Sequence, residues 1–495
     1  MRNRCAVARP VNSTAISPRR QIAPERASPR WIATGWVLAL AAAGALLLGG
    51  CGGGSSNSAP SLAQQGKKVF RYDTFGDEAT WTNKLRMNQV IESAVSPITA
   101  ASVGVKVDVD ALPASVVQGI QNGSINLNDP QTTLALLSLN AVVGLQGQVT
   151  KNSDGSMTLT QLGITCALCH STVSKDVNVT AKGNPSVADG TVLIPAGVVG
   201  HRLDGWPNRD LNPGAIIALS PAIAGTPQAA VFNSWGPGRY DARFNQFLNT
   251  TDPLTGRQRG IATFAVSDAS ASPDGTGKVY DPFAVLIPPA YGLAGISKEI
   301  YTGDGDQAHE PVGAVAYWNR YVSVTQMGGI GIFDDPRLDA LGMVPVDHIT
   351  DGTNVNRLAD QVTSVLPALQ AYQLSIPAPA APAGSFDTAA AARGQAIFNG
   401  QGTCSTCHSG AQFTDANVTL HPRSASMASD TSYLLLSGTQ QWRTSPLAGS
   451  WLHPPYFHDG SAATLADVVS RYNTRLGLGL SAGQQSDLVA YLNSL

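Results

Sequence analysis

The stretch "AAARGQAIFNGQGTCSTCHSG", residues 390–410, runs a helix-forming segment straight into two cysteines two residues apart, with a histidine directly after the second. The same constellation occurs once more, in "QLGITCALCH", residues 161–170. Three chemistries use such cysteine pairs. A structural zinc site needs four Cys or His ligands, usually as two pairs close together, whereas a Pro/Ala-rich connector and much of the chain lie between these two. A thioredoxin-like redox pair sits at a strand-to-helix junction and has no use for a histidine in the fifth place twice. Covalent c-type haem accounts for every element: each thiol adds to a vinyl group and the adjacent histidine reaches the iron from the proximal side. The sequence therefore predicts two covalently bound c-type haems. Cys166, Cys169, Cys404 and Cys407 attach them, and His170 and His408 are the proximal iron ligands.

The chain has 495 residues, a net charge of -2 and only 13% charged residues, with high Gly and Pro. That length holds two or more domains, and the charge argues against a nucleic-acid partner. Beyond the two pairs, the six cysteines include only Cys5 and Cys51. An Arg-rich N-terminus runs into "WIATGWVLALAAAGALLLGGCGGGSS", a basic region, an apolar run and small residues, as in a secretory signal. "LLGGC" resembles a bacterial lipobox, which makes residues 1–50 a signal peptide and Cys51 the site of lipid attachment. An uncleaved membrane anchor is the alternative, since about 20 apolar residues span a bilayer. Both place the protein body outside the cytoplasm, in the bacterial cell envelope. Residues 51–65 then read as a flexible tether.

"SIPAPAAPAGSFDTAA", residues 375–390, reads as a semi-rigid connector between an N-terminal haem domain, 66–374, and a C-terminal one, 391–495. The chain ends in "LSAGQQSDLVAYLNSL", where Ser481 is a helix cap and Leu488, Val489, Tyr491, Leu492 and Leu495 form an apolar face. This arrangement resembles a class I cytochrome c domain, whose first and last helices cross at a small residue and an aromatic; Gly394 and Phe398 face Leu488 and Tyr491. The N-terminal part is far larger than one small cytochrome needs and carries many turn signals, with helical periodicity in "DPQTTLALLSLNAVVGLQ". The expected fold is mainly α: two cytochrome c-like haem domains, the N-terminal one enlarged by loop-rich insertions.

The run "RTSPLAGSWLHPPYFHDGSAATLADVVSRYN" is similar to the corresponding stretch of the di-haem cytochrome c peroxidase and MauG superfamily. The likeness extends from Arg393 to the end. "WGPGRYDARFN" and "IPPAYGLAGISKEIYTGDGDQAHEPVGAVA" are similar to segments of divergent members. The wide spacing of the attachment sites looks more like the larger members, among them the rubber-cleaving haem dioxygenase.

The chemistry turns on the sixth ligand of each iron, because a haem closed on both faces passes electrons while an open one activates peroxide or dioxygen. For the C-terminal haem, the resemblance points to His458 in the Pro-Tyr-x-His-Asp-Gly turn or to Tyr472, with Met427 a further candidate. Thr464 and Asp467 form a capping box that turns Tyr472 inward, which suits a ligand and equally suits core packing. For the N-terminal haem, His201 is a candidate distal ligand and Glu310 a candidate acid for O–O cleavage, with surface roles as the plainer alternatives. Trp206 and Trp318 are candidate electron relays between the haems, or core residues. Arg239 and Arg443 match the geometry of haem propionates. These readings favour a peroxide-using oxidoreductase with the N-terminal haem as its reactive centre. An electron carrier with both irons six-coordinate and a dioxygenase acting on a hydrophobic substrate compete with it. The implied partners are a periplasmic electron donor or acceptor, peroxide or dioxygen as substrate, and a membrane reached through the N-terminal lipid.

Overall fold

Helix α1, Leu62–Tyr72, begins at a capping box: Ser61 accepts from the Gln64 amide, and the Gln64 side chain accepts from the Ser61 amide. The computed structural model describes residues 60–177, 180–182, 191–241, 270–271, 279–339, 341, 346–347 and 360–495. The signal peptide and Cys51 therefore lie outside the described residues. Helix α1 opens inside the stretch read as tether, because a good cap and an apolar stripe ending in buried Phe70 outweigh the polar composition. Among the described residues no helix is long and apolar enough to cross a membrane.

The structure is mainly helical with short two-stranded sheets. Helix α2 spans Met87–Ala94 and α3 spans Pro130–Ser138. Asp129 caps α3 and Pro130 occupies its first turn, but the helical pattern read through "AVVGLQ" does not continue. Chain there turns and enters β1, Leu145–Lys151, which pairs antiparallel with β2, Met157–Ile164. Strand β2 delivers the chain to the short helix α4, Cys166–His170, which carries the first attachment motif. Further on come α5, Ala314–Tyr321, and α6, Leu366–Leu374.

After the connector, α7 (Thr388–Asn399) is capped by Asp387, α8 (Leu465–Leu476) by the Thr464/Asp467 box, and α9 (Ala482–Leu492) by a Ser481/Gln484 box. Helices α7 and α9 cross at Gly394. A Cβ there would overlap the Asp487 carbonyl oxygen and come 2.8 Å from Tyr491 Cβ. Phe398 and Tyr491 close the crossing edge to face at 5.3 Å, and Arg393 grips Asp487 through two hydrogen bonds of 2.6 and 2.9 Å. The pair of helices expected from Gly394, Phe398, Leu488 and Tyr491 is thus present, with the backbone of Asp487 rather than Leu488 against the glycine.

The same crossing recurs at the other end of the chain. Gly66 of α1 meets the Ala368 carbonyl and Tyr372 Cβ of α6, the latter at 2.8 Å from a built Cβ, and Phe70 lies edge to face on Tyr372 at 5.5 Å. Gly-x-x-x-Phe on the first helix and a tyrosine on the last are common to both. In the C-terminal copy the attachment motif follows α7 directly; in the N-terminal copy everything from Asp73 to Thr165 is inserted between them.

Two apolar cores follow this division. The buried residues of one lie between Phe70 and Tyr372, with Leu436 packed against them, and those of the other are Phe398, Leu465, Val469, Leu480, Leu488, Tyr491 and Leu492. A smaller cluster joins Val285 to Tyr433, Leu434 and Trp442, so the halves meet through side chains, and Ala59–Leu495 form one compact unit. The connector is tied down as well: Gly292 N–H donates to Ile376 O (2.9 Å) and Trp451 Nε1–H to Pro379 O (3.3 Å).

Candidate functional site

Each attachment motif ends in a histidine whose Nδ1–H donates to a backbone carbonyl: His170 to Pro288 O at 3.0 Å, His408 to Phe413 O at 3.1 Å. A donating Nδ1 fixes the tautomer in which Nε2 carries the lone pair, the form that binds a metal. Burial favours that neutral form, pushing the pKa of His170 down to about 4 and that of His408 below its ordinary value.

The cysteines lack the features of a redox pair. No disulfide joins Cys166, Cys169, Cys404 or Cys407. Burial pushes the thiols of Cys166 and Cys169 up to about 12 and that of Cys404 to about 11, the opposite of the depressed thiol that a redox pair needs. Nor do the two pairs assemble a zinc site. Among the described residues the one Cys/His/acid trio at metal-ligand spacing is Cys407, Asp415 and His421, which draws on a single cysteine.

One cavity of about 640 Å³ is lined by Cys166 and His170 of the first motif and by Cys404, Cys407 and His408 of the second, within the usual size of cofactor pockets. Six polar atoms of its lining residues are buried without a hydrogen-bond partner: Arg209 Nε, Glu299 Oε1, Trp318 Nε1, Trp442 Nε1, Arg443 Nε and His458 Nε2. Leaving one such group unsatisfied costs about 1–3 kcal/mol, so a wall holding six suits a large group with an apolar body and polar edges. Haem with its two propionates is such a group, and the residues present fit it.

Arg443 lines the cavity and is paired with buried Glu299. Arg239 does not line it. Its strand pairs with Val285–Leu286 and its guanidinium packs against Gly460. Arg209 does line it, anchored by Nη1–H to Ile287 O (2.7 Å) and Nη2–H to His453 O (3.3 Å). Glu310 is not in the wall either. It forms a 2.7 Å ion pair with Arg320, because its position at the start of α5 faces that arginine. The buried acid that lines the cavity is Glu299, whose pKa burial raises against the opposing pull of Arg443. His201 is half exposed and bound to exposed Asp110 at 2.9 Å, which rules out the distal-ligand role considered for it.

The three candidates for the second face of the C-terminal haem all line the cavity. Tyr472 is the one beside the attachment motif: burial and then the neighbouring Cys404 and Cys407 push its hydroxyl up to about 12. Met427 is buried and holds Arg471 Nη1–H on its carbonyl at 3.0 Å. His458 faces a different neighbourhood, its ring lying 4.5 Å from Trp442 and 6.0 Å from Tyr301 and Tyr433. Of the two tryptophans singled out, Trp318 is in the cavity wall. Trp206 follows Gly205, whose N–H donates to His170 O, and packs edge to face on Trp451 at 6.4 Å.

Sequence reading missed Arg209, Glu299, Trp442 and His453. The last is a partly buried histidine in the wall, its pKa pushed down to about 4 by desolvation. Glu299 and Trp442 sit inside or beside stretches already notable for their likeness to a family, which was the available signal. Nothing local distinguishes Arg209 from other loop arginines.

No protein-family model and no curated protein sequence matches this chain. Among solved structures, a MauG-like protein associated with microbial copper homeostasis is similar at 19% identity and a TM-score of 0.28, over 46% of this chain and 76% of that one. Hydrazine synthase of Kuenenia stuttgartiensis is similar at 18% identity and a TM-score of 0.27, over 55% of this chain and 92% of that one. At these values the functional reading rests on the chain's own residues.

Proposed function

We propose that this chain is an exported di-haem c-type cytochrome oxidoreductase that uses hydrogen peroxide. The reactive haem is held by Cys166, Cys169 and His170 in the enlarged N-terminal unit, and the electron-transfer haem by Cys404, Cys407 and His408 in the C-terminal unit. The observation that carries the reading is the pair of Cys-x-x-Cys-His motifs with carbonyl-bonded histidines, both contributing to the wall of one cavity.

When bound, haem supplies one-electron redox chemistry and, with an open face, activation of peroxide. The chain's own residues have separable tasks. The Pro288 and Phe413 carbonyls orient the two histidines and keep Nε2 unprotonated. Arg209 and Arg443 supply the cations for propionates. Tyr472, His458 or Met427, all in the cavity wall, would supply the sixth ligand of the C-terminal haem. Glu299, buried in the wall with Oε2 held by Arg443 and Oε1 without a partner, would take up and return a proton at Oε1, the task of a general acid–base group. The apolar walls exclude water from that carboxyl.

The test is a visible absorption titration with hydrogen peroxide in the ferric and half-reduced states, on the native protein and on Glu299→Gln. A fast response in the native protein, slowed about 10²–10⁴-fold in the variant, is the expected result. No response in either state would overturn peroxide use and leave an electron carrier or an oxygenase that uses dioxygen.

A further inference from the structure

The attachment helix α4 is fastened at both ends to one ion pair. Before it, Thr165 Oγ1–H donates to the carbonyl of Arg71, in the last turn of α1, at 3.2 Å. After it, Ser171 Oγ–H donates to Asp204 Oδ1 at 2.9 Å, and the strands Ser171–Val173 and Arg202–Asp204 pair antiparallel. Asp204 Oδ2 accepts from Arg71 Nε–H at 2.6 Å and from the Tyr372 hydroxyl at 2.5 Å. The Asp204 side chain is 5% exposed and Ser171 is fully buried. One carboxylate thus takes a donor from α1, a donor from α6 and a donor from the residue after His170. Tyr372 is also the aromatic that closes the α1–α6 crossing on Phe70.

The residue after Asp204 extends this clamp to the histidine. Gly205 N–H donates to His170 O at 2.8 Å, and Gly205 O accepts from Ala290 N–H at 2.8 Å. Two residues before Ala290 lies Pro288, whose carbonyl holds His170 Nδ1. The fit is close, since a Cβ at Gly205, where φ is +85°, would come 3.0 Å from Ile376 and 3.1 Å from Ala290 O. Backbone and ring of His170 are therefore both tied to the Asp204–Gly205 segment. In the C-terminal unit the ion pair at the crossing, Arg393–Asp487, joins one helix to the other, with the arginine side chain 60% exposed.

We propose that Asp204 is a positioning residue for the N-terminal haem: through Ser171 and Gly205 it fixes His170 and so sets how Nε2 meets the iron. This rests on the di-haem reading above. Groups behind a metal-binding histidine tune the metal without touching it, and hydrogen bonds to a carboxylate are the strong ones.

The experiment uses the holoprotein, its two covalent haems first counted by pyridine haemochromogen absorbance. Ser171→Ala cuts the link to the attachment motif and leaves Arg71 and Tyr372 on Asp204, while Asp204→Asn removes the charge at nearly constant shape. Ser220→Ala is the matched control, a fully buried serine whose hydroxyl donates to Leu85 O at 2.7 Å and which does not line the cavity. Spectroelectrochemical titration reads the two midpoint potentials, and urea unfolding reads stability. S171A and D204N should each shift one midpoint and leave the other in place, with the shift retained in the C404S/C407S background; S220A should lower stability and move neither midpoint. Unmoved midpoints in both S171A and D204N, or an equal shift in S220A, would overturn the positioning role and leave Asp204 a structural ion pair. A haem count below two in the native protein would instead overturn the di-haem reading, before any variant is compared.

Discussion

Replacing Gly394 by alanine tests the helix crossing on which the C-terminal unit is built. In an exposed helix interior this change stabilises by about 1 kcal/mol, because alanine loses less backbone freedom than glycine. At Gly394 the new Cβ would overlap the Asp487 carbonyl oxygen, sit 2.6 Å from its carbon and 2.8 Å from Tyr491 Cβ, where ordinary contact begins at 3.4 Å. Most of the colliding atoms are backbone, and the nearest, the Asp487 carbonyl oxygen, lies 2.0 Å from the built Cβ, so α7 and α9 must part by about 1.4 Å, loosening the Phe398–Tyr491 contact and the Arg393–Asp487 pair. Overpacking of this kind costs about 1–3 kcal/mol. Set against the propensity gain, the net is a loss of up to about 2 kcal/mol. Gly483, in the first turn of α9, has nothing within 4 Å of a built Cβ, and Gly483→Ala is the internal control. Urea unfolding followed by far-ultraviolet circular dichroism reads both. The expected outcome is a lower midpoint for Gly394→Ala and an equal or higher one for Gly483→Ala. A rise in both would refute the close crossing.

Cys404→Ser and Cys166→Ser, each made with its pair partner also changed to serine, should each remove one covalent haem, read by haem staining after denaturing electrophoresis; an unchanged stain would sink the attachment assignment. Arg443→Met strands the buried Glu299 carboxylate, and should cost about 3–5 kcal/mol; the double variant with Glu299→Gln should recover much of that in the same unfolding assay, and no recovery would mean that the pair is not coupled. His453 is held neutral, so below its unfolded pKa of about 6.5 the unfolded chain binds the extra proton. Stability from this group is full above that value and is lost as pH falls toward about 4, with a slope of up to about 1.4 kcal/mol per pH unit. His453→Gln should flatten the fall in urea midpoint between pH 7 and pH 5, and an unaltered slope would show that His453 is not the group responsible.

Sequence alone carried whatever depends on close spacing. Two cysteines and a histidine within five residues define an attachment site wherever they fold. Ser481 with Gln484 and Thr464 with Asp467 form their boxes inside one helical turn. Gly394 and Phe398 could be matched to Leu488 and Tyr491 because both helices are regular and lie at the ends of one short unit. The N-terminal crossing repeats the same device, yet Gly66 meets Ala368 across most of the chain, and the first turn of α1 lies in the stretch whose composition suggested a tether.

Side-chain roles at the cavity were decided by tertiary structure. Glu310 and Glu299 are both acids in one loop-rich stretch, but one faces Arg320 and the other the cavity. Arg209 and Arg239 are both loop-flanking arginines, and only the path of the chain around Ile287 and His453 turns the first one inward. Covalent chemistry at a motif is local and travels with the residues that spell it. Burial and the identity of a charged side chain's partner depend on which distant segments the fold brings against it, and no spacing along the chain encodes that.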